Sequence, residues 1–299
     1  TDTDPVATCE PPIDPVDTSS PDHVVGTGSA ASCNEADLRT AVEAGGIITF
    51  DCGTDPATID ITETLVLRTD ADTVIDGGGT VTLDAGGRTR HLILDHPDWM
   101  NNPYGVTLQG LTLVNGSAPK GTYYPQDPEN PDCAYGYKEG SGGALYVRNG
   151  VVHVIVSVFR DNEAALEGPD VGGGAIYALG VPEIVITGSV FEDNRGANAG
   201  ALGMLFANPT IVNTVFRNNH TEGVGMNYVE PGCPNFNHDE QGGAGGNGGA
   251  IAFDGMNYDD VVGFCGTVFE DNRANELGGA IFRTPNVEMR ELHLVDSLF

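Results

Sequence analysis

The feature that most constrains this 299-residue chain is a pair of short motifs that alternate through its second half. SGGALYV at 141–147 returns as GGGAIYAL (172–179), AGALGMLF (199–206), GGAIAF (248–253) and GGAIFR (278–283). Each is followed by a segment ending in Phe: SVFRDN (157–162), SVFEDN (189–194), TVFRNN (214–219), TVFEDN (267–272) and SLF (297–299). The aligned Phe159, Phe191, Phe216, Phe269 and Phe299 are 32, 25, 53 and 30 residues apart. Most of the variation lies between the Asn of one unit and the GGA of the next. A fixed strand–corner–strand with one variable corner is the signature of a solenoid, whose repeats contact only their neighbours. HLILD (91–95) with GVTLQGLTLVNG (105–116) reads as a degenerate unit, and 64–84 as one before it.

Stacking explains the residue choices. Coils of a parallel solenoid repeat at about 4.8 Å, so equivalent side chains form columns. The five Phe then build an inward aromatic column. Asn162, Asn194, Asn219 and Asn272 stand at a tight bend, where Asn tolerates the left-handed conformation and its amide can bond the next coil, as in an Asn ladder. The residue after Phe runs Arg160, Glu192, Arg217, Glu270. Only a stack gains from that alternation of sign, by roughly 0.2–1 kcal/mol per cross-strand pair. The 42 glycines, about twice the average share, belong to the corners.

Outside the repeats, residues 34–44 (NEADLRTAVEA) read as a helix, with Asn34 as N-cap, Leu38, Ala41 and Val42 as its apolar stripe and Gly45-Gly46 as its stop. Residues 1–32 read as an Asp/Thr/Pro-rich, disordered leader or tether, because Pro5, Pro11, Pro12, Pro15 and Pro21 block helix and ladder alike. The domain assignment is therefore leader 1–32 and solenoid 33–299, with a capping helix at 33–46. The six Cys show no zinc spacing and suit disulfides in an exported protein. They allow 15 pairings. Cys33–Cys52 is favoured because it brackets the helix and the strand after it, and Cys133–Cys233 is a second candidate. A net charge of -30 excludes nucleic acid and anionic lipid as partners. No apolar run approaches the roughly 18 residues needed to cross a bilayer, and the chain starts at Thr1 without a signal-like segment.

Two resemblances follow from these motifs. GGA[ILV] alternating with FxxN resembles the repeats of the polymorphic outer-membrane-protein family of autotransporter passengers. CNEADLRTAVEAGGIITFDCG (33–53) followed by VIDGGGTVTLDAGG (74–87) is similar to the CSLREA-type N-terminal segment of bacterial extracellular pectate-lyase-like proteins. The resemblance implies an all-β fold, a right-handed parallel β-helix, with a short helix plugging the first coil, on a bacterial cell surface or outside it. Against that pattern the chain stops at Phe299, before the expected Asn and without a polar capping coil. The expectation is a longer polypeptide or an end covered by another molecule.

An enzyme of the pectate-lyase-like group would carry Asp ligands for Ca²⁺ beside an Arg or Lys base, or a trio of Asp with a Gly-His-Gly turn. Here there is no Gly-His-Gly, Arg residues are scattered, and Lys120 and Lys138 are the only lysines. Plentiful carboxylates discriminate nothing. The reading leans away from catalysis and assigns no catalytic residue; a polysaccharide-active lyase or hydrolase is the alternative, marked by a base beside two carboxylates in a cleft. The candidate metal set is the column Asp161, Asp193, Asp271, interrupted by Asn218, with oxygen ligands that suit Ca²⁺; outward-facing corner residues are the plainer account. Asp70, Asp72 and Asp76 form a looser cluster. No cofactor is required. His153 and His293 read as ordinary strand residues.

Insertions 116–140 and 220–248 both leave after the Asn bend and return before GGA, so they should share one flank. They hold Tyr123, Tyr124, Tyr135, Tyr137, Tyr228 and Phe236, a concentration that suits a recognition surface or pins each loop to the wall. Trp99 lies at another corner as a packing anchor. The function expected is a non-enzymatic surface protein, adhesive, structural or filament-forming, whose partners are other surface proteins, glycans or further copies of itself.

Overall fold

The structure, a computed structural model, describes residues 8–98, 101–118, 137–166, 171–223, 245–255, 262–284 and 292–299. Every strand pairing among them is parallel, and the chain winds as a β-helix with three faces per coil. One face carries Leu65–Val66 and Leu92–Asp95 and then the strands that follow the GGA-type motif: Leu145–Arg148, Ile176–Leu179, Leu202–Leu205, Ile251–Asp254 and Ile281–Thr284. A second, middle face stacks Val151–Ile155, Glu183–Thr187, Pro209–Val212, Val262–Cys265 and Leu292–Val295. The third stacks the Phe strands Val158–Arg160, Val190–Glu192, Val215–Arg217 and Val268–Glu270. The middle and Phe faces merge because Thr73–Asp84 and Gly105–Val114 are long enough to run through both. The sequence reading had two strands per unit. The middle strand escaped it because VVHVI, EIVIT, PTIV and VGFC share apolar character but no one residue type at a common register position.

Side chains alternate in and out, and the inward ones fill a single core. Ile59, Leu83 and Leu113 begin a column that Phe159, Phe191, Phe216 and Phe269 continue. Successive ring centroids of Phe159, Phe191, Phe216, Phe269 and Phe299 lie 4.9, 4.9, 5.2 and 4.8 Å apart, with planes within 12°. Phe159, Phe191 and Phe216 are fully buried, while Phe299 is 60% exposed. Full burial of each ring contributes about 1.5–3 kcal/mol.

Four columns of left-handed residues turn the coils. Gly142, Gly173, Ala199, Gly248 and Gly278 open the GGA strand; Asn149, Gly180, Phe206 and Gly255 close it. Gly110, Val156, Gly188, Asn213, Gly266 and Asp296 join the middle face to the Phe face. Asn115, Asp161, Asp193, Asn218 and Asp271, with φ of 51–56°, follow the Phe strand. The doubled glycine has two distinct duties. Gly173 takes φ +63°, whereas a Cβ on Gly174 would stand 2.2 Å from the Gly200 carbonyl oxygen of the next coil.

Helix Glu35–Ala44 sits where the reading placed it. The Asn34 side chain accepts from the Asp37 N–H at 3.0 Å, Leu38, Ala41 and Val42 are buried, and Gly45 (φ 77°) ends it. It packs on His23–Val25, Gly46–Phe50 and Leu65–Val66, covering the first coil. Cys33 and Cys52 are bonded beside it.

The leader corrects the tether assignment over residues 8–32. Cys9 is disulfide-bonded to Cys265, 256 residues away. The Cys9 N–H donates to Asn213 Oδ1 and the Cys9 carbonyl accepts from Asn213 Nδ2, both at 2.8 Å. Val16 exchanges the same two bonds with Gln109 at 2.9 and 3.1 Å, Thr18 donates to Asp76 at 2.6 Å, and Asp22 meets Ile47. His23–Val25 then pairs with Ile48–Phe50. The segment thus crosses the coils as a strap, from that of Cys265, one short of the strand Leu292–Val295, toward the first. Its prolines exclude it from a ladder, but side-chain amides on the coils supply the partners a ladder would have given.

Candidate functional site

The flank after the Phe strand carries the loop roots and most of the polar order. Each ladder Asn donates from Nδ2 to the next Asn Oδ1: Asn162 to Asn194 at 3.0 Å, Asn194 to Asn219 at 2.9 Å, Asn219 to Asn272 at 3.0 Å. The same amides reach back to Leu113, Phe159, Phe191 and Phe216 carbonyls at 2.8–3.2 Å. The backbone N–H of Asn162, Asn194 and Asn219 also donates to the following Asn Oδ1, so a buried amide finds every partner within the stack.

A second ladder was missed. Ser157, Ser189, Thr214, Thr267 and Ser297 stand two residues before each Phe, and each hydroxyl donates to the carbonyl two residues earlier at 3.0–3.3 Å. The Ser/Thr restriction at that position of the repeat is the signal that finds it. A third feature, His91, ends the Asn ladder. Its ring is fully buried, with Nε2 3.0 Å from the Leu83 carbonyl oxygen. A Cβ on Gly116 would lie 2.7 Å from His91 Nδ1 and 2.8 Å from Asn162 Oδ1. Burial pushes the imidazole pKa down from 6.5 to about 4, so it is neutral.

Asp161, Asp193 and Asp271 do fall in one column, one per coil, and their shared property is the left-handed backbone. Asp193 accepts from the Asn218 amide, and Asp161 stands 3.4 Å from the Arg160 guanidinium. Among the described residues no group of three or more His, Cys, Asp and Glu is arranged to hold a metal ion. Asp70, Asp72 and Asp76 serve separate partners: Arg68, the Gly105 N–H, and Thr18 with Gln109. The alternating charges pair about Arg217, 2.8 Å from Glu270 and 3.3 Å from Glu192. Hydrogen bonds first to Glu270 and then to Glu192 hold its guanidinium above the ordinary range.

Beyond the Asn bend a short parallel ladder runs Ser117, Glu163, Arg195, His220, Arg273. Residues 117 and 220 are the departure points of the two insertions, so their roots share one flank. Tyr123, Tyr124, Tyr135, Tyr228, Phe236, Cys133, Cys233 and Trp99 lie outside the described residues. Of the insertion aromatics only the Tyr137 backbone is placed, opening a helical turn Tyr137–Gly140. Arg90 clamps that return: its buried guanidinium donates to the Lys138, Ser141 and Gly142 carbonyls at 2.5–2.8 Å and lies over the Tyr146 ring. Burial lowers its pKa to about 10.

An open groove of ≈ 710 Å³ follows this flank. Ser117, Asp161, Glu163, Asp193, Arg195 and His220 line it, and Arg195 is 2.6 Å from Glu163. The sequence had marked only its two Asp. It is a cleft with two basic side chains, Arg195 and His220, beside three carboxylates.

Residues 266–282 match the Chlamydia polymorphic membrane protein (Chlamydia_PMP) repeat. No curated protein and no solved structure matches the chain. In the structure those 17 residues run from the left-handed Gly266 through Phe269 of the stack and Asn272 of the ladder to Gly278-Gly279-Ala280. The match therefore covers one unit of the corner that recurs down the solenoid. No helix among the described residues is long and apolar enough to cross a membrane.

Proposed function

We propose that this chain is an exported, non-enzymatic surface protein, adhesive or structural, whose rigid β-helix presents insertions 116–140 and 220–248 to another surface protein, a glycan or a second copy. The observation that carries the reading is the common ladder from which both insertions depart, Ser117 to His220. Loops rooted on one ladder of stacked coils have their roots at a fixed separation, here three rungs, which is what a recognition surface needs. The repeat at 266–282 supports a bacterial surface setting, since the matched family is one of membrane proteins by its description. The test replaces 119–136 and 224–244 by short Gly/Ser turns, which leaves the roots in place. The trimmed chain should keep its melting transition while losing attachment to cells and self-association. A trimmed chain that attaches as well as the parent would overturn the reading.

The groove favours a second reading, as a polysaccharide-active lyase or hydrolase, because Arg195 stands beside Asp161, Glu163 and Asp193. Incubation with neutral and acidic polysaccharides, followed by chromatography of the products, tests it. Cleavage abolished by Arg195→Ala would establish it; intact polymer throughout would dismiss it. Ca²⁺ at the Asp161/Asp193/Asp271 corner is a third proposal. It expects the melting temperature to drop when a chelator is added, and an unchanged one counts against it.

A further inference from the structure

The outer surface of the GGA face carries its own aromatic column, and that column is interrupted. Tyr146 and Tyr177 are register neighbours with parallel rings 6.1 Å apart. The same register position is Gly203 on the next coil, Ala252 on the one after, and Phe282 beyond. Tyr177 and Phe282 are therefore three rungs, about 14 Å, apart along the sheet, with Gly203 and Ala252 at the two register positions between them. A cavity of ≈ 190 Å³ fills that interval. The Tyr177 ring leans over its floor, where a Cβ on Gly203 would be 2.7 Å from Tyr177 Cδ2.

The rim is polar, and among the described residues no side chain that lines the cavity is a cation, although the Arg283 guanidinium lies over the ring of Phe253 in its wall. Asn198, Asn247, Asp254 and Thr284 line it. Asn247 donates its N–H to Asn198 Oδ1 at 3.2 Å, yet its own Oδ1 is shielded from water without a hydrogen-bond partner. A donor from a ligand would satisfy an acceptor left bare in that way.

From the gap in the column, the bare acceptor and the charge of the rim, the geometry points to a binding site for one neutral pyranose ring. The C–H face of a pyranose lies flat on an aromatic ring, its edge hydroxyls donate to amide oxygens, and its volume suits the cavity. Asp254 and the net charge of -30 turn away uronic and sialic acids. Asn247 stands on the described return of insertion 220–248, while Tyr177, Gly203, Ala252 and Phe282 stand on the coils, so the site does not rest on the loop-presenting role.

Saturation-transfer NMR on the full chain decides the matter, with methyl β-glucoside, methyl β-galactoside and methyl N-acetyl-β-glucosaminide as probes and glucuronate as the anionic control. At least one neutral glycoside should bind with a dissociation constant on the order of 1 mM, as a single ring of few contacts would. Glucuronate should give no transfer. Ala252→Leu, which fills the interval, and Asn247→Leu, which removes the acceptor, should each weaken binding at least tenfold. Phe282→Ala removes a wall without adding bulk, so it serves if Ala252→Leu disturbs folding, and it too should weaken binding. The assignment fails if no neutral glycoside gives a signal, or if binding survives both Ala252→Leu and Phe282→Ala. A chain trimmed of 119–136 and 224–244 should still bind the glycoside, so the two functional readings stand or fall separately.

Discussion

Val156 holds φ 47° with its side chain 63% exposed, at a corner where other coils place Gly110, Gly188, Asn213 and Gly266. A β-branched residue there is strained by roughly 1–2 kcal/mol and buries little in return. Val156→Gly or Val156→Asn should therefore raise the denaturant midpoint by an amount equivalent to about 1 kcal/mol; a lower midpoint would refute the strain. Asn194 shows the opposite balance. Removing its amide strands the Asn162 N–H and the Phe159 carbonyl inside the stack, at a cost of roughly 2–4 kcal/mol for Asn194→Ala. His91 adds a pH dependence. The unfolded chain protonates near 6.5 and the folded one near 4, so the contribution is full above pH 6.5 and is lost progressively down to pH 4. The loss approaches roughly 3 kcal/mol. Acid titrations of the parent and of His91→Gln should diverge across that interval, and parallel curves would reject the assignment.

At the scale of the element, the Phe strand and its Asn bend were readable because one residue type recurs at one position. Stacking demands that recurrence wherever a ring or amide must meet its own kind. The middle strand was not readable, because apolar side chains of any shape fill its inward positions: Val152, Ile184 and Pro209 share one, and Val154, Ile186, Ile211 and Phe264 the other. The hydroxyl ladder fell between these cases, for Ser and Thr alternate at it. The Asp column was visible, but its chemistry was not, since Asp serves equally as a ligand and as a left-handed corner. The sign alternation was visible too, and it predicts that Arg217 is the member that matters. Arg217→Ala leaves Glu192 and Glu270 on flanking coils without their shared cation. Exposed pairs of this type contribute about 0.2–1 kcal/mol each, so the variant should melt slightly lower at low salt and match the parent in 1 M salt. A deficit that persists in salt would mean packing, not charge.

For the whole molecule, the strap is the feature that motif reading could not reach, because a bond between Cys9 and Cys265 leaves no local pattern. Closing a loop of that length limits the unfolded chain by roughly 5 kcal/mol on the chain-entropy account. Replacing both cysteines by serine should lower the thermal midpoint, and calorimetry should show a broader transition, since coils that touch only their neighbours then unravel piecemeal. A transition unchanged in position and width would show that the strap adds nothing. The bond also reroutes tension. A pull applied upstream of Cys9 and downstream of Cys265 passes straight through the sulfur bridge and leaves the 255 residues between them slack. Most of the β-helix would then carry no load while the bridge is oxidised, and would become extensible, coil by coil, once it is reduced.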